Sequence, residues 1–141
     1  AVLKYRRKEI YTMKLNPDCI RDILLYLEEN LGLSSDLEYI PVSVYSIAEA
    51  LPYSLPEVAN TLEVLEEADF LRAAKDYGYD KIVMFDVIRL TYAGYQFLES
   101  VRPKTTWEKV VGACTKLGSF SLDFVMQVAT QVAVNAIPTL I

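Results

Sequence analysis

The sequence predicts a mostly helical α+β domain organised around a helix-turn-helix, and three observations predict it. Apolar residues recur at the 3.6-residue helical period in six segments. Two of these are separated only by the tight connection Pro52-Tyr53, which is the pattern of a helix-turn-helix. Two strand-like runs, 70–75 and 81–89, then flank Asp76-Tyr77-Gly78-Tyr79-Asp80, which is the pattern of a hairpin. At 141 residues, 52% apolar and 23% charged, the chain is long enough and apolar enough to enclose one core.

Asn16-Pro17-Asp18 supplies a cap, a first-turn proline and an early acid, and Ile20, Ile23, Leu24, Leu27 and Leu31 follow at helical spacing as far as Gly32. A helix is expected over 17–31. Residues 33–38 read as a polar loop. Tyr39-Ile40-Pro41-Val42 reads as an edge strand at most, because proline donates no ladder hydrogen bond. Ser43 is placed to cap a short helix through Ala50 that buries Val44, Ile47 and Leu51, and Pro52 stops it. Ser54-Leu55-Pro56-Glu57 predicts a capping box, in which hydroxyl and carboxylate satisfy each other's orphan amides. The third helix follows, with Val58, Leu62, Leu65 and Ala68 inside, and ends near Asp69.

In the hairpin, Gly78 is expected to supply the positive φ of the turn. The second run, KIVMFDVIR, has the β-branched and aromatic content of a strand. Thr91 then caps a helix to Arg102 in which Gly94, Phe97, Leu98 and Val101 share a face, and Pro103 ends it. This order, with Leu90-Thr91-Tyr92-Ala93-Gly94-Tyr95-Gln96-Phe97-Leu98 directly after the hairpin, resembles a winged-helix domain; an LTxxGxxFL segment recurs where such domains leave the wing. The opening MKLNPDCIRDILLYLEEN resembles that of a bacterial and prophage family of domains of unknown function. The resemblance covers Met13 to about Val101, and the tail more loosely. It implies a mobile-element setting and transfers no functional residue. The architecture it implies is α+β, mostly α: a winged helix-turn-helix core of three helices, a β-hairpin wing and a return helix, followed by two C-terminal helices.

In the tail, Thr105 or Thr106 is expected to cap a helix whose apolar stripe is Trp107, Val110, Val111, Cys114 and Leu117, ending at Gly118. Ser121 is expected to cap a second helix. Its positions Leu122, Val125, Met126, Ala129, Val132, Ala133 and Ala136 form a narrow seam opposite Gln127, Thr130, Gln131 and Asn135. The seam either completes the core or pairs two copies of the chain, with Leu122, Met126, Ala129 and Ala133 as the homodimer residues. Residues 124–141 carry no charge, a length that could in principle reach across a bilayer. Two Gln, two Thr, one Asn and Pro138 in that stretch argue against a membrane span. The organisation expected is a leader at 1–12, a winged-helix-like domain at 13–103 and a helical extension at 104–141. Met13-Lys14-Leu15-Asn16 reads as a bacterial gene start, and Arg6-Arg7-Lys8-Glu9 as translated purine-rich ribosome-binding DNA. Residues 1–12 are therefore expected to be non-native, the alternative being a basic arm.

Composition excludes much chemistry. There is no histidine, which removes Ser-His and Cys-His nucleophile pairs, imidazole general bases and mixed Cys/His zinc sites. Adjacent acids such as Glu28-Glu29 and Glu66-Glu67 diverge by about 100° on a helix and cannot chelate together. The five glycines are scattered and form no phosphate-cradling loop. The two cysteines, Cys19 and Cys114, are too few and too far apart for a disulfide framework, which fits a reduced, cytoplasmic setting. Both are expected as core residues. No catalytic activity, metal or cofactor is expected.

The net charge of −5 is unevenly spread. Residues 1–14 carry five cations and one acid, residues 15–69 one cation and twelve acids, and residues 70–105 six cations and four acids. The second helix of a helix-turn-helix ordinarily lies in the major groove, where cations grip phosphates. Here that helix, 56–68, carries Glu57, Glu63, Glu66 and Glu67 and neither Lys nor Arg. The expected function is a non-enzymatic regulatory module that engages a protein through Glu57, Asn60, Glu63 and Glu67, since a concentrated negative field steers cationic partners. The alternative is a DNA-binding transcriptional regulator that uses its wing. There Arg72, Lys75 and Lys81 flank Tyr77 and Tyr79, a mixture suited to holding a backbone and stacking a base.

Overall fold

The structure, a computed structural model, describes residues 2–5 and 8–136. Arg6 and Arg7 of the expected leader and Pro138 of the uncharged tail lie outside the described residues. The chain opens with an antiparallel hairpin, β1 (Val2–Tyr5) against β2 (Lys8–Tyr11). The first helix, α1 (Pro17–Asn30), starts where Asn16 accepts a hydrogen bond from the Asp18 amide at 3.0 Å. Its stripe of Cys19, Ile20, Ile23, Leu24 and Leu27 is wholly buried, which makes α1 the axis of the core.

The stretch read as a loop followed by an edge strand is two pairings divided by Pro41. β3 (Gly32–Leu33) pairs antiparallel with β4 (Tyr39–Ile40), and β5 (Val42–Ser43) pairs with a strand of the main sheet. Ser34 closes the small hairpin: its amide donates to the Glu38 carbonyl at 2.8 Å and its hydroxyl accepts from the Glu38 amide at 3.0 Å. Leu37 takes the left-handed conformation, φ 66°.

Next come α2 (Val44–Ala50) and α3 (Leu55–Glu67), the helix-turn-helix pair. Ser43 caps α2 and Ser54 caps α3, each accepting from an amide three residues on at 3.2 Å. The capping box forms only in half. The Glu57 carboxylate accepts instead from Asn16 Nδ2 at 3.4 Å, on the chain entering α1.

Strands β6 (Leu71–Gly78) and β7 (Lys81–Leu90) form the hairpin, and the sheet order is β5-β7-β6. The turn is two residues long, and the positive φ falls on Tyr79 at 53°, not on Gly78. Gly78 stays in the ladder opposite Lys81; a Cβ there would lie 2.9 Å from Val83 Cγ2, so the exposed Val83 side chain would have to shift to admit one. Register shifts at Arg72/Ala73 and Asp76/Tyr77 bend the ribbon.

The return helix α4 (Tyr92–Val101) shows why the LTxxGxxFL segment has its spacing. Thr91 caps α4 by accepting from the Gly94 amide at 3.1 Å, and its hydroxyl donates to the Asp69 carbonyl. Gly94 lets α4 touch the backbone at Phe70, where an added Cβ would meet the Phe70 oxygen at 2.1 Å. Three residues further on, Phe97 stacks on Phe70 with ring centroids 5.2 Å apart.

The tail forms α5 (Lys104–Leu117) and α6 (Leu122–Ala136). Neither Thr105 nor Thr106 caps α5: Pro103 is the cap residue, and its fixed φ of −65° aims the chain into the helix with no side-chain bond. Gly118 ends α5 with φ 71°, and Ser121 caps α6 through the Phe124 amide at 3.2 Å. Leu117, expected on the buried stripe, is exposed in the last turn beside Gly118. Trp107, Val110, Cys114, Leu122, Val125 and Ala129 join the same core as α1. Two polar ties fix the arrangement. Trp107 Nε1 donates to Asp18 at 2.7 Å, and Arg21 donates to the carbonyls of Val101 and Arg102 at 2.9 and 2.5 Å. Arg102 in turn grips Glu28 through two contacts of 2.7 Å, which holds the Glu28 carboxyl below its ordinary range. Among the described residues no helix is long and apolar enough to cross a membrane.

Candidate interaction surface

Helix α3 buries Val58, Thr61, Leu62 and Leu65 against α1 and α2. At 100° per residue the opposite face then carries Pro56, Asn60, Glu63 and Glu67. No cation stands on it. Beneath it, Thr61 donates either to the Glu57 carbonyl at 2.8 Å or to Cys19 Sγ at 3.5 Å. Burial pushes the Cys19 thiol up to about 11, and the nearby Glu57 and Asp22 charges add to this. The thiol is thus protonated at neutral pH, an inert core group instead of a nucleophile.

The four residues expected to form a partner face have different surroundings. Glu57 accepts from Asn16, and Asn60 Nδ2 donates to the Met13 carbonyl at 3.2 Å, so both hold the segment entering α1. Glu63 accepts from Lys75 Nζ at 3.1 Å and from the Tyr77 hydroxyl at 3.1 Å. Glu67 is exposed and forms no ion pair among the described residues. Glu66, not singled out for this face from sequence, approaches Lys75 Nζ at 2.5 Å.

Lys75 is therefore the centre of a cluster that joins the wing to α3. Its ammonium lies 5.3 Å from the Tyr77 ring centroid and 5.5 Å from that of Phe85. Hydrogen bonding to Glu66 first, then to Tyr77 and Glu63, raises its pKa above the ordinary lysine value. Two carboxylates, one ammonium and one phenol share a half-buried site, and the wing cation nearest α3 is spent on that helix's own acids. The remaining wing residues face water. Arg72 contacts Asp69 at 3.5 Å with both side chains exposed, a pair worth about 0–1 kcal/mol. Tyr79 at the tip is fully exposed, and Lys81 is exposed beside it.

The expected seam residues divide as well. Leu122 and Ala129 are buried against the core, whereas Met126 and Ala133 line an open groove of about 500 Å³ with Tyr92, Phe97 and Val134. Among the described residues no cluster of three or more Cys, Asp or Glu is placed to hold a metal ion.

A helix-turn-helix whose second helix presents one face outward, a two-stranded ribbon tied to that helix, and a return helix locked beneath the ribbon define a winged-helix domain with an anionic helix at the recognition position. The chain belongs to the family described as "Hypothetical protein (DUF2513)", whose model matches residues 14–121, from the approach to α1 as far as the cap of α6. Two solved structures are similar to it. One is the adhesin competence repressor AdcR from Streptococcus pyogenes, at 19% identity and TM-score 0.43, covering 92% of this chain and 83% of that one. The other is a cysteine-to-serine mutant of ZitR from Lactococcus lactis, at 19% identity and TM-score 0.43, covering 94% and 80%. No curated protein matches the sequence.

Proposed function

We propose that this winged-helix domain is a non-enzymatic, cytoplasmic regulatory module of mobile-element type, whose acidic helix-turn-helix face engages a protein partner carrying basic surface. One observation carries the reading. Helix α3 has no Lys or Arg, and the wing cation closest to it, Lys75, is neutralised by Glu63 and Glu66. Over α3 and Lys75 together, four carboxylates face one ammonium, so a duplex approaching this face meets net repulsion. The test is an electrophoretic shift with random-sequence duplex at low salt, for which no complex is expected. A salt-sensitive complex weakened by Lys75→Ala and Lys81→Ala would overturn the reading.

The second reading, a transcriptional regulator that contacts DNA through its wing, is favoured by the exposure of Arg72, Tyr79 and Lys81. The same shift assay decides it, because those three residues are then required and α3 is not. Homodimerisation belongs to either reading and would use the outward side of α6, where Met126 and Ala133 remain accessible. Sedimentation of Ala133→Arg tests it: the parent is expected to run as a dimer and the variant as a monomer.

A further inference from the structure

The base of the wing holds a like-charge pair that the fold does not need. Arg72 and Arg89 are direct cross-strand partners in the β6–β7 ladder. Directly opposed side chains leave a sheet on the same face with Cβ atoms about 5 Å apart, and like charges so placed are destabilising. The register shift at Arg72/Ala73 creates this opposition: Ala73 pairs with Val87, so Ile88 is the extra residue that brings Arg89 level with Arg72. Asp69 answers Arg72, whereas Arg89 forms no ion pair among the described residues and donates only to its neighbour's carbonyl, at 3.0 Å.

Arg89, itself exposed, stands at the edge of an open groove of about 300 Å³ formed where the β3–β4 hairpin meets β7 and α4. Leu31, Leu33, Ile88 and Leu90 supply its apolar walls, and Tyr39 and Tyr95 also line it. Neither tyrosine hydroxyl is hydrogen-bonded to protein among the described residues. A guanidinium without an ion pair, two phenols and several aliphatic side chains border one groove in a chain whose net charge is −5. Ligand sites combine apolar walls with a few polar groups, and this volume is at the small end of their range.

We propose that Arg89 anchors a binding site for a small organic monoanion, a carboxylate carried on an apolar body. The guanidinium pairs with the carboxylate, the tyrosine hydroxyls donate to it, and the leucine and isoleucine side chains take the hydrocarbon. Bound there, the anion also relieves the opposition between Arg72 and Arg89. No residue of α3 lines the groove, so the site stands or falls independently of the partner reading.

Isothermal titration of the full chain with hexanoate and phenylacetate, against hexanamide as the uncharged control, tests the proposal. At least one carboxylate is expected to bind, about tenfold or more tighter than the amide, the weight of one charge-assisted contact. Arg89→Gln should lose the same factor, and Tyr95→Phe a smaller one. Arg89→Gln should melt close to the parent, because the repulsion it removes offsets the lost bond to the Leu90 carbonyl, so its loss of binding is not a loss of fold. Failure of both carboxylates to bind, equal affinity for acid and amide, or unchanged affinity in Arg89→Gln would each overturn the assignment.

Discussion

Two glycines in helices give the sharpest test of the packing, because the same substitution should act in opposite directions. In an exposed helix interior, alanine is favoured over glycine by about 1 kcal/mol. Gly112, in the middle of α5, has nothing within 4 Å of a new Cβ. Gly112→Ala should therefore stabilise the chain by about 1 kcal/mol and raise Tm by roughly 3–5 °C for a domain of this size. Gly94 has the same intrinsic preference and a different neighbour. Its new Cβ would stand 2.1 Å from the Phe70 oxygen, where Cβ contacts under 3.0 Å essentially never occur. Helix α4 must then withdraw by about 1 Å, which stretches the Thr91 amide bond to Phe70, the Thr91 bond to Asp69 and the Phe70–Phe97 stack. Overpacking of about 1–3 kcal/mol, with two hydrogen bonds weakened by about 1 kcal/mol each, outweighs the helical gain. The expected net cost is about 2–4 kcal/mol, a fall in Tm of roughly 10 °C. Scanning calorimetry of the two variants beside the parent is sufficient. A Gly94→Ala variant that melts at or above the parent would refute the close approach of α4 to Phe70.

Other expectations follow from the polar ties. Lys75→Ala should lower Tm by a few degrees, because it leaves Glu63 and Glu66 facing each other; added salt should recover part of the loss by screening them, and a deficit unaffected by salt would contradict the cluster. Cys19 has a folded pKa of about 11 against 9.0 for the free thiol, so its contribution is complete below pH 9 and is lost as pH rises towards 11. Denaturation at pH 8 and pH 11 should show a smaller loss in Cys19→Ala than in the parent, the remainder coming from Tyr53 and Lys75, whose folded pKa values are also raised, and alkylation at pH 8 should need unfolding. The Glu28 carboxyl is held below its ordinary 4.5, so the reverse sign applies: its contribution is present above about pH 4.5 and is lost as pH falls through the lower folded value. Acid titrations of the parent and Glu28→Gln should converge as the pH falls through that region.

The helices were legible because each carries a stripe, and several carry a cap, within a dozen residues of sequence. Asn16, Ser43, Ser54, Thr91 and Ser121 all accept the amide bonds their positions foretold. The β3–β4 pairing escaped because two-residue strands have no periodicity to read, and because the bonds that close it belong to Ser34. The turn is hard to place for a related reason: a glycine between two tyrosines does not reveal which residue leaves the ladder, and here Gly78 stays paired with Lys81 while Tyr79 takes the positive φ. The surface was harder still. Its acids and cations could be read off individually, but Lys75 meets Glu63 twelve residues away only through the packing of β6 on α3. A partner face and a nucleic-acid wing, two alternatives in the sequence, share one ion cluster in space.

The bonds from Asp18 and Arg21 to Trp107, Val101 and Arg102 join positions 80 to 89 residues apart. On the ribosome this sets a schedule. Among the described helices the earliest, α1, is wholly enclosed in the end, and α4, which completes part of its cover, is made only after the wing, so a polypeptide arrested there would leave part of the α1 stripe open to chaperones and proteases.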